Sequence, residues 1–265
     1  MVFSLVVPKI TILGSNGYIG TNLINMLSNK LEVQKLTRNN SEKVNFSDKD
    51  LNVVINLCSS KINDGAAVSY ESNFNFQRKI LIENEEKPFL WIQIASYYEL
   101  QIAHGRSDSY SKHKTEFRKF LNDWEGEHKN FKHKCLFLPH VFGRNESGDR
   151  LMPSLKQLNL GKRTLFGSKD HYIPILYVDD VIVAILLAIS ASQKISMATP
   201  IWYGKLSELV RSTVKNDSIY KLSVFDGNKQ EYSGVKINFP QPLVGFNPSF
   251  TFSELQYRLK AGIPF

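Results

Sequence analysis

The sequence predicts an α/β chain organised as a doubly wound parallel sheet with a small C-terminal α/β lobe. Three observations carry this expectation. Short apolar runs alternate with amphipathic stretches through the first half. The first run is followed at once by GSNGYIG, residues 14–20, in which three glycines stand three apart. Beyond about residue 140 the alternation loosens with no internal repeat or low-complexity tract, so the second half reads as a lobe woven into the first. The expected division is 1–140 and 141–265, with the helix near 180–190 returning to the first part.

The elements follow in order. KITIL (9–13), VQKL (33–36), VVINL (53–57), LWIQIA (90–95) and CLFLP (135–139) have the length and apolar continuity of buried strands. Between them, Ile19, Leu23, Met26 and Leu27 recur at helical spacing, as do Phe117, Phe120, Leu121 and Trp124. Strands alternating with helices place helices on both faces of a parallel sheet. In the second half, helices are expected over 152–160, 181–190 and Lys205–Ser212, with a last one in FSELQYRLKAG stopped by Gly262. KLSVF and GVKINF read as short strands.

Composition narrows the function classes. The 265 residues suffice for one large domain with a sizeable core. No apolar run reaches the roughly 18 residues of a membrane span, and the start MVFSLVVPKI lacks a basic leader. Cys58 and Cys135 are the only cysteines, which suits reduced thiols in a cytoplasmic protein. The net charge of +8 favours anionic ligands. No zinc-finger spacing or aromatic RNA-binding signature accompanies it, so a small anion is expected rather than nucleic acid or a membrane.

The glycine corner is the first chemical signal. A parallel strand turning straight into a helix leaves unpaired amides at the positive end of the helix dipole, where a phosphate binds well. Gly14 permits the tight turn, Gly17 lets a diphosphate approach, and Gly20 lets helix pack on strand. The second strand ends KLTRNN. An NAD-binding chain usually carries a carboxylate there for the ribose hydroxyls; here Arg38 follows Thr37, and a guanidinium suits the 2′-phosphate of NADPH, unless Arg38 is a surface residue.

SDSYSKHKTEF holds Tyr110 and Lys114 at i,i+4, on one face of a helix. An ammonium beside a phenol favours the phenolate, so such a tyrosine can exchange a proton with a sugar or alcohol oxygen. Ser96 ends the fourth apolar run, at the edge where a parallel sheet opens its ligand crevice. Each signal is weak alone; their order along the chain is what gives them weight.

At these residues the chain resembles the extended short-chain dehydrogenase/reductases that act on nucleotide sugars, a family with a Rossmann-type doubly wound sheet. GSNGYIG looks like their Gly-x-x-Gly-(Phe/Tyr)-Ile-Gly, VVINLCSS like the strand VIHLAA, and YESNFNFQRKIL like the Tyr-x-x-Asn helix that follows. Ser96, Tyr110 and Lys114 match the Ser-Tyr-Lys catalytic set. PHVFGRN, YVDDV and LVGFNPSFTFSEL are similar to later family segments, so the likeness spans nearly the whole chain. The resemblance implies cofactor contacts from Gly14, Asn16, Gly17, Tyr18, Ile19 and Gly20, from Thr37, Arg38 and Asn39, from Leu57, Cys58, Ser59 and Lys61, and from Tyr110, Lys114 and Pro139. Substrate contacts would come from Ser96 and His140, the latter standing where the family has asparagine; a buried turn histidine is the other reading. Arg144, Lys162 and Arg163 are candidates for the substrate diphosphate or are solvated charges. Asp179 and Asp180 read as a helix N-cap.

Departures from the family select the reaction. Family dehydratases follow the strand-end hydroxyl with Asp-Glu; here Ser96 is followed by YYEL, and Glu99 is at the wrong offset. Arg38 argues against the tightly held NAD of the epimerases, and only 14 residues separate Ser96 from Tyr110. The expectation is therefore a cytoplasmic NADPH-dependent reductase of a nucleotide-linked keto sugar, an NDP-4-keto-6-deoxyhexose, feeding a bacterial surface polysaccharide such as O-antigen. No metal is expected, and a homodimer through the tyrosine-bearing helix is consistent with Phe117 to Trp124, which equally suit the core. The rivals are an NAD-dependent epimerase and a non-enzymatic dinucleotide-sensing regulator.

Overall fold

A computed structural model describes residues 8–28, 31–37, 44, 46, 51–226 and 234–265. In chain order the strands and α-helices are β1 (Lys9–Leu13), α1 (Tyr18–Leu27), β2 (Val33–Leu36), β3 (Asn52–Asn56), α2 (Ala66–Tyr70), α3 (Phe76–Ile82), β4 (Phe89–Ser96), α4 (Ser109–Glu127), β5 (Phe131–Leu138), β6 (His140–Phe142), α5 (Leu151–Asn159), β7 (Thr164–Ser168), β8 (Tyr172–Tyr177), α6 (Val178–Ser190), β9 (Ile195–Met197), β10 (Trp202–Lys205), α7 (Leu206–Thr213), α8 (Asp217–Tyr220), β11 (Ser223–Asp226) and α9 (Phe252–Ala261). A π-helical turn, Glu71–Asn75, joins α2 to α3, and a 3-10 segment, Tyr97–His104, follows β4.

The main sheet has six strands in the order β2-β1-β3-β4-β5-β9, all parallel. The five strands expected from sequence form its body, so the doubly wound parallel architecture is borne out. Alternation along each strand separates two apolar layers. Ile10, Ile12, Val53, Ile55, Ile92 and Ile94 face α1 and α6. Leu13, Val54, Phe89 and Trp91 face α3 and α4, where Phe117, Leu121 and Trp124 are buried. A row of polar side chains crosses the sheet at Asn56 and Gln93; Asn56 Nδ2 donates to Gln77 and to Gln93, each at 2.7 Å, and so links β3 to β4 and α3. Burial without these partners would cost about 1–3 kcal/mol per group.

The second lobe has its own core, in which Phe142, Met152, Leu155, Ile175, Leu209 and Leu255 are fully buried. Its strands form two small sheets, β10-β8-β6 and β11-β7. Chain continuity ties the lobes together twice: β8 runs directly into α6, which packs in the first core, and β9 extends the main sheet.

Two expectations need correction. GVKINF forms no strand; Ile237 is buried, and its amide donates to the Tyr203 hydroxyl at 2.6 Å instead of to a ladder. Asp179 and Asp180 are not N-caps of α6, since Tyr177 holds that position. Asp180 is buried and accepts from the Ser249 amide (2.8 Å), the Ser249 hydroxyl (2.6 Å) and the Phe250 amide (3.1 Å), stapling the C-terminal segment to α6. Asp179 pairs with Arg144 at 2.9 Å.

Candidate active site

Parallel strands put their C-terminal ends on one edge, and the chain reverses its winding between β1 and β3, where a crevice opens. At that point lies a cleft of about 310 Å³ lined by Gly14, Asn16, Gly17, Thr37, Leu57, Cys58 and Ser59. Gly14 has φ +78°, and a Cβ on it would stand 2.8 Å from the Cys58 amide nitrogen, so only glycine lets β1 turn against β3 here. Gly17 is the N-cap of α1 and supplies no side-chain cap, which leaves first-turn amides to a ligand. These residues fit a dinucleotide diphosphate by chemistry and by room.

Not every residue implied for the cofactor reaches the cleft. Ile19 packs against the first core, and Gly20 serves the contact of α1 with the glycine turn. The Tyr18 ring turns to the second lobe, under the Arg150 guanidinium at 4.9 Å, and burial beside Glu146 raises its phenol well above the usual range. Its hydroxyl is buried without a hydrogen-bond partner. Lys61 is exposed in the turn after β3, its amide held by Asp64 at 2.7 Å. Arg38 and Asn39 lie outside the described residues.

Ser96 is the last residue of β4 and the N-cap of the 3-10 segment. Its hydroxyl accepts from the Tyr98 amide at 3.2 Å, and its own amide donates to Glu99 at 2.8 Å. With a lone pair engaged by Tyr98, the hydroxyl keeps its proton for a substrate oxygen. Tyr110 is half-buried in the first turn of α4, edge-on to Tyr98 with centroids 6.5 Å apart. Lys114, one turn on, is buried, with Nζ 5.6 Å from the Tyr110 ring centroid. A buried ammonium needs a counter-charge. Glu99 provides it: its carboxylate is buried, lies within electrostatic range of Lys114 and is paired with Arg118 at 3.2 Å. Burial raises its pKa from the ordinary value, while Lys114, the Ser96 amide and Arg118 oppose the shift. Sequence reasoning missed this role; the Ser-x-x-Glu spacing of a capping box was the available signal.

Asn73 is a second residue with a role that the motif alone did not reveal. It is fully buried and donates to the Ser60 hydroxyl (2.8 Å) and the Ser69 hydroxyl (3.1 Å), while accepting from Ser59 (3.2 Å). Ser69 contacts His113 Nδ1 at 3.0 Å, on α4 next to Lys114. The chain Ser59–Asn73–Ser69–His113 therefore ties the cleft wall to the tyrosine-bearing helix.

Pro139 is buried between β5 and β6, and His140 opens β6. His140 Nε2 is buried without a hydrogen-bond partner, and burial together with Arg150 and His171 pushes its pKa down to about 3, so the imidazole is neutral. His171 is likewise lowered to about 4 by burial and by Arg106. Arg144 is committed to Asp179, while Lys162 and Arg163 are exposed on the turn between α5 and β7. The structure thus gathers the cleft residues at one strand edge and Ser96, Tyr110 and Lys114 around Tyr98, but does not bring Lys162 and Arg163 together with Arg144 through any described contact. Among the described residues, no group of three or more His, Cys, Asp or Glu is arranged to hold a metal, and no helix is long and apolar enough to cross a membrane.

Residues 96–198, the span from the strand-end serine through α6 to β9, match the family described as the NAD dependent epimerase/dehydratase family. That segment belongs to the family. The expected resemblance and an NAD(P)-dependent enzyme class are borne out at that level. No curated protein sequence matches the chain. Solved structures share the fold that surrounds the epimerase/dehydratase segment. RMD from Pseudomonas aeruginosa, complexed with NADPH, is 14% identical with a TM-score of 0.73, over 96% of this chain and 98% of that one. A UDP-N-acetylglucosamine 4-epimerase from Methanobrevibacter ruminantium M1 is 13% identical with a TM-score of 0.71, over 96% of each chain. DesIV, a dTDP-glucose 4,6-dehydratase from Streptomyces venezuelae, is 12% identical with a TM-score of 0.71, again over 96% of each chain.

Proposed function

We propose that this protein reduces the keto group of a nucleotide-activated sugar with NADPH, acting on an NDP-4-keto-6-deoxyhexose on the way to a bacterial surface polysaccharide. The observation that carries the reading is the set of Ser96, Tyr110 and buried Lys114 without an acid–base carboxylate pair: Glu99 is bound to the Ser96 amide and Arg118 and faces Lys114. A dehydratase needs a free acid and base; a reductase needs one proton donor. The cofactor would lie with its diphosphate over Gly14–Gly17, and Arg38, the residue after Thr37, would take the 2′-phosphate. When bound it supplies the hydride.

The chain's own residues do the rest. Ser96 donates its hydroxyl proton in a hydrogen bond to the sugar carbonyl oxygen. Tyr110 gives the proton that completes the alcohol, a transfer typically worth about 10²–10⁴ in rate. Lys114 holds positive charge against the phenol as it ionises, and Glu99 lets that ammonium stay charged while buried. His140 and His171, both neutral, offer hydrogen bonds to sugar hydroxyls without attracting a carboxylate. A cytoplasmic setting and a homodimer through α4 belong to the same proposal.

The test is NADPH oxidation against CDP-, dTDP-, GDP- and UDP-linked 4-keto-6-deoxy sugars. One of them is expected to turn over, and Tyr110→Phe is expected to lose turnover by orders of magnitude while keeping cofactor affinity. Purified protein that carries NAD and epimerises without added NADPH would overturn the reading, as would activity that survives Tyr110→Phe.

A further inference from the structure

We propose that Arg106 is a positioning residue that fixes the tyrosine-bearing helix against the serine-bearing turn; the catalytic part of this inference rests on the function proposed above. Ser96 and Tyr110 come from different elements, and only 14 residues separate them. Arg106 stands inside that connection, just after the left-handed Gly105 that ends the 3-10 segment. It is buried, with 5% of its side chain exposed, where an unpaired guanidinium would be costly.

Its donors are spread over both elements. Nη1 donates to Gln101 Oε1 at 2.7 Å, in the turn that begins at Ser96. Nε donates to the Asp108 carboxylate and to the Ser111 hydroxyl at 3.0 Å, both in the first turn of α4. Asp108 is the N-cap of that helix, accepting from the Ser111 amide at 2.9 Å. The guanidinium also lies 3.9 Å over the Tyr98 ring, whose amide binds Ser96 and whose edge meets Tyr110. The fork of Arg106 therefore spans from the Ser96 turn to the residue next to Tyr110. A hydrophobic side chain of similar volume would fill the same space without relating the two elements. The rigid planar fork supplies that relation, and lysine, a point donor, cannot.

Two proton-bearing groups must meet one oxygen, and a misplacement of about 1 Å in such a pair costs about 10²-fold in rate. Arg106→Met and Gln101→Met test the strut from its two ends, the second leaving the cation paired with Asp108. Both are expected to bind NADPH within about threefold of the parent, and to lose about 10–100-fold in kcat per cofactor-binding site with KM for the keto sugar unchanged. Arg106→Lys is expected to recover less than half of that loss on a logarithmic scale. Hydrogen exchange at the amides of residues 109–112 is expected to rise at least tenfold in both variants, a readout that does not depend on which substrate is turned over. Unchanged kcat per site, or unchanged exchange at those amides, overturns the strut; if Arg106→Met does not fold, Gln101→Met decides. A parent protein inactive on every keto sugar sinks the reductase reading, and the exchange data still decide whether Arg106 holds the helix.

Discussion

Replacing Gly20 by alanine separates packing from helix propensity, because the two act with opposite signs. Gly20 lies in the first turns of α1, and a helix interior ordinarily gains about 1 kcal/mol when glycine becomes alanine. Here the added Cβ would stand 2.4 Å from the Gly14 carbonyl oxygen and 2.9 Å from that of Ser15, both backbone atoms with no rotamer to adjust. Ordinary contact begins at 3.4 Å, so α1 must retreat by 3.4 − 2.4 = 1.0 Å from the glycine turn. Overpacking of this kind costs about 1–3 kcal/mol, and the backbone on both sides argues for the upper half of that range. The net expectation is a destabilisation of about 1–2 kcal/mol. The same retreat carries the first-turn amides away from the cleft, so NADPH affinity should fall by about tenfold, since 1.4 kcal/mol is a factor of ten. Gly126, exposed in α4 with nothing within 4 Å of its Cβ position, is the control: Gly126→Ala should be neutral or stabilising by up to about 1 kcal/mol. Urea unfolding and NADPH titration measure both variants. If Gly20→Ala is as stable as Gly126→Ala and binds cofactor as tightly as the parent, the argument that Gly20 exists for close helix–strand approach is wrong.

The remaining predictions concern the joints of the fold and its charge balance. Asp180→Ala strands three donors at the C-terminal segment and should destabilise by about 3 kcal/mol or more, whereas Asp179→Ala, which breaks the half-exposed pair with Arg144, should cost less than about 1 kcal/mol; urea midpoints discriminate the two. Asn73→Ala frees the Ser59–Ser60 wall and should weaken NADPH binding about 5–30-fold, measured by fluorescence titration, with little change in unfolding slope. His140 has a folded pKa of about 3 against 6.5 unfolded, so between those values the unfolded chain takes up a proton that the folded chain refuses, and stability falls as pH drops through that window. His171 and His133, both near 4, act in the same direction, while Glu146, raised to about 7 by burial, acts oppositely between 4.5 and 7. Glu99, also raised by burial, sides with Glu146. The difference between parent and His140→Asn isolates one group: the variant should lose its stability between pH 6.5 and 4.5 more gently, by up to about 1.4 kcal/mol per pH unit.

What was legible in the sequence follows from the range of the forces involved. KITIL and VQKL appear in the structure with the bounds read from the pattern, because a strand buried on both faces must be apolar throughout. The glycine corner was legible because backbone sterics at Gly14 exclude every other residue. The strand β8 was not: Pro174 lies inside YIPILY, and a proline ordinarily demotes a strand to an edge, yet β8 is the central strand of its small sheet. GVKINF failed in the other direction, since its alternation is right but the partner of Ile237 is a tyrosine hydroxyl from β10.

By itself the sequence determined the parallel sheet, the turn that presents helix amides at its edge, and the presence of a serine, a tyrosine and a lysine in the order such chemistry needs, all of them consequences of local periodicity and backbone sterics. Tertiary structure alone decided that Glu99 is a counter-ion and not an acid, that Asp180 is a staple and not a cap, and that Tyr18 faces the second lobe. The reason is the same in each case: the role of a charged or polar side chain is set by which distant groups surround it once water has gone, and no window of neighbouring residues contains that information.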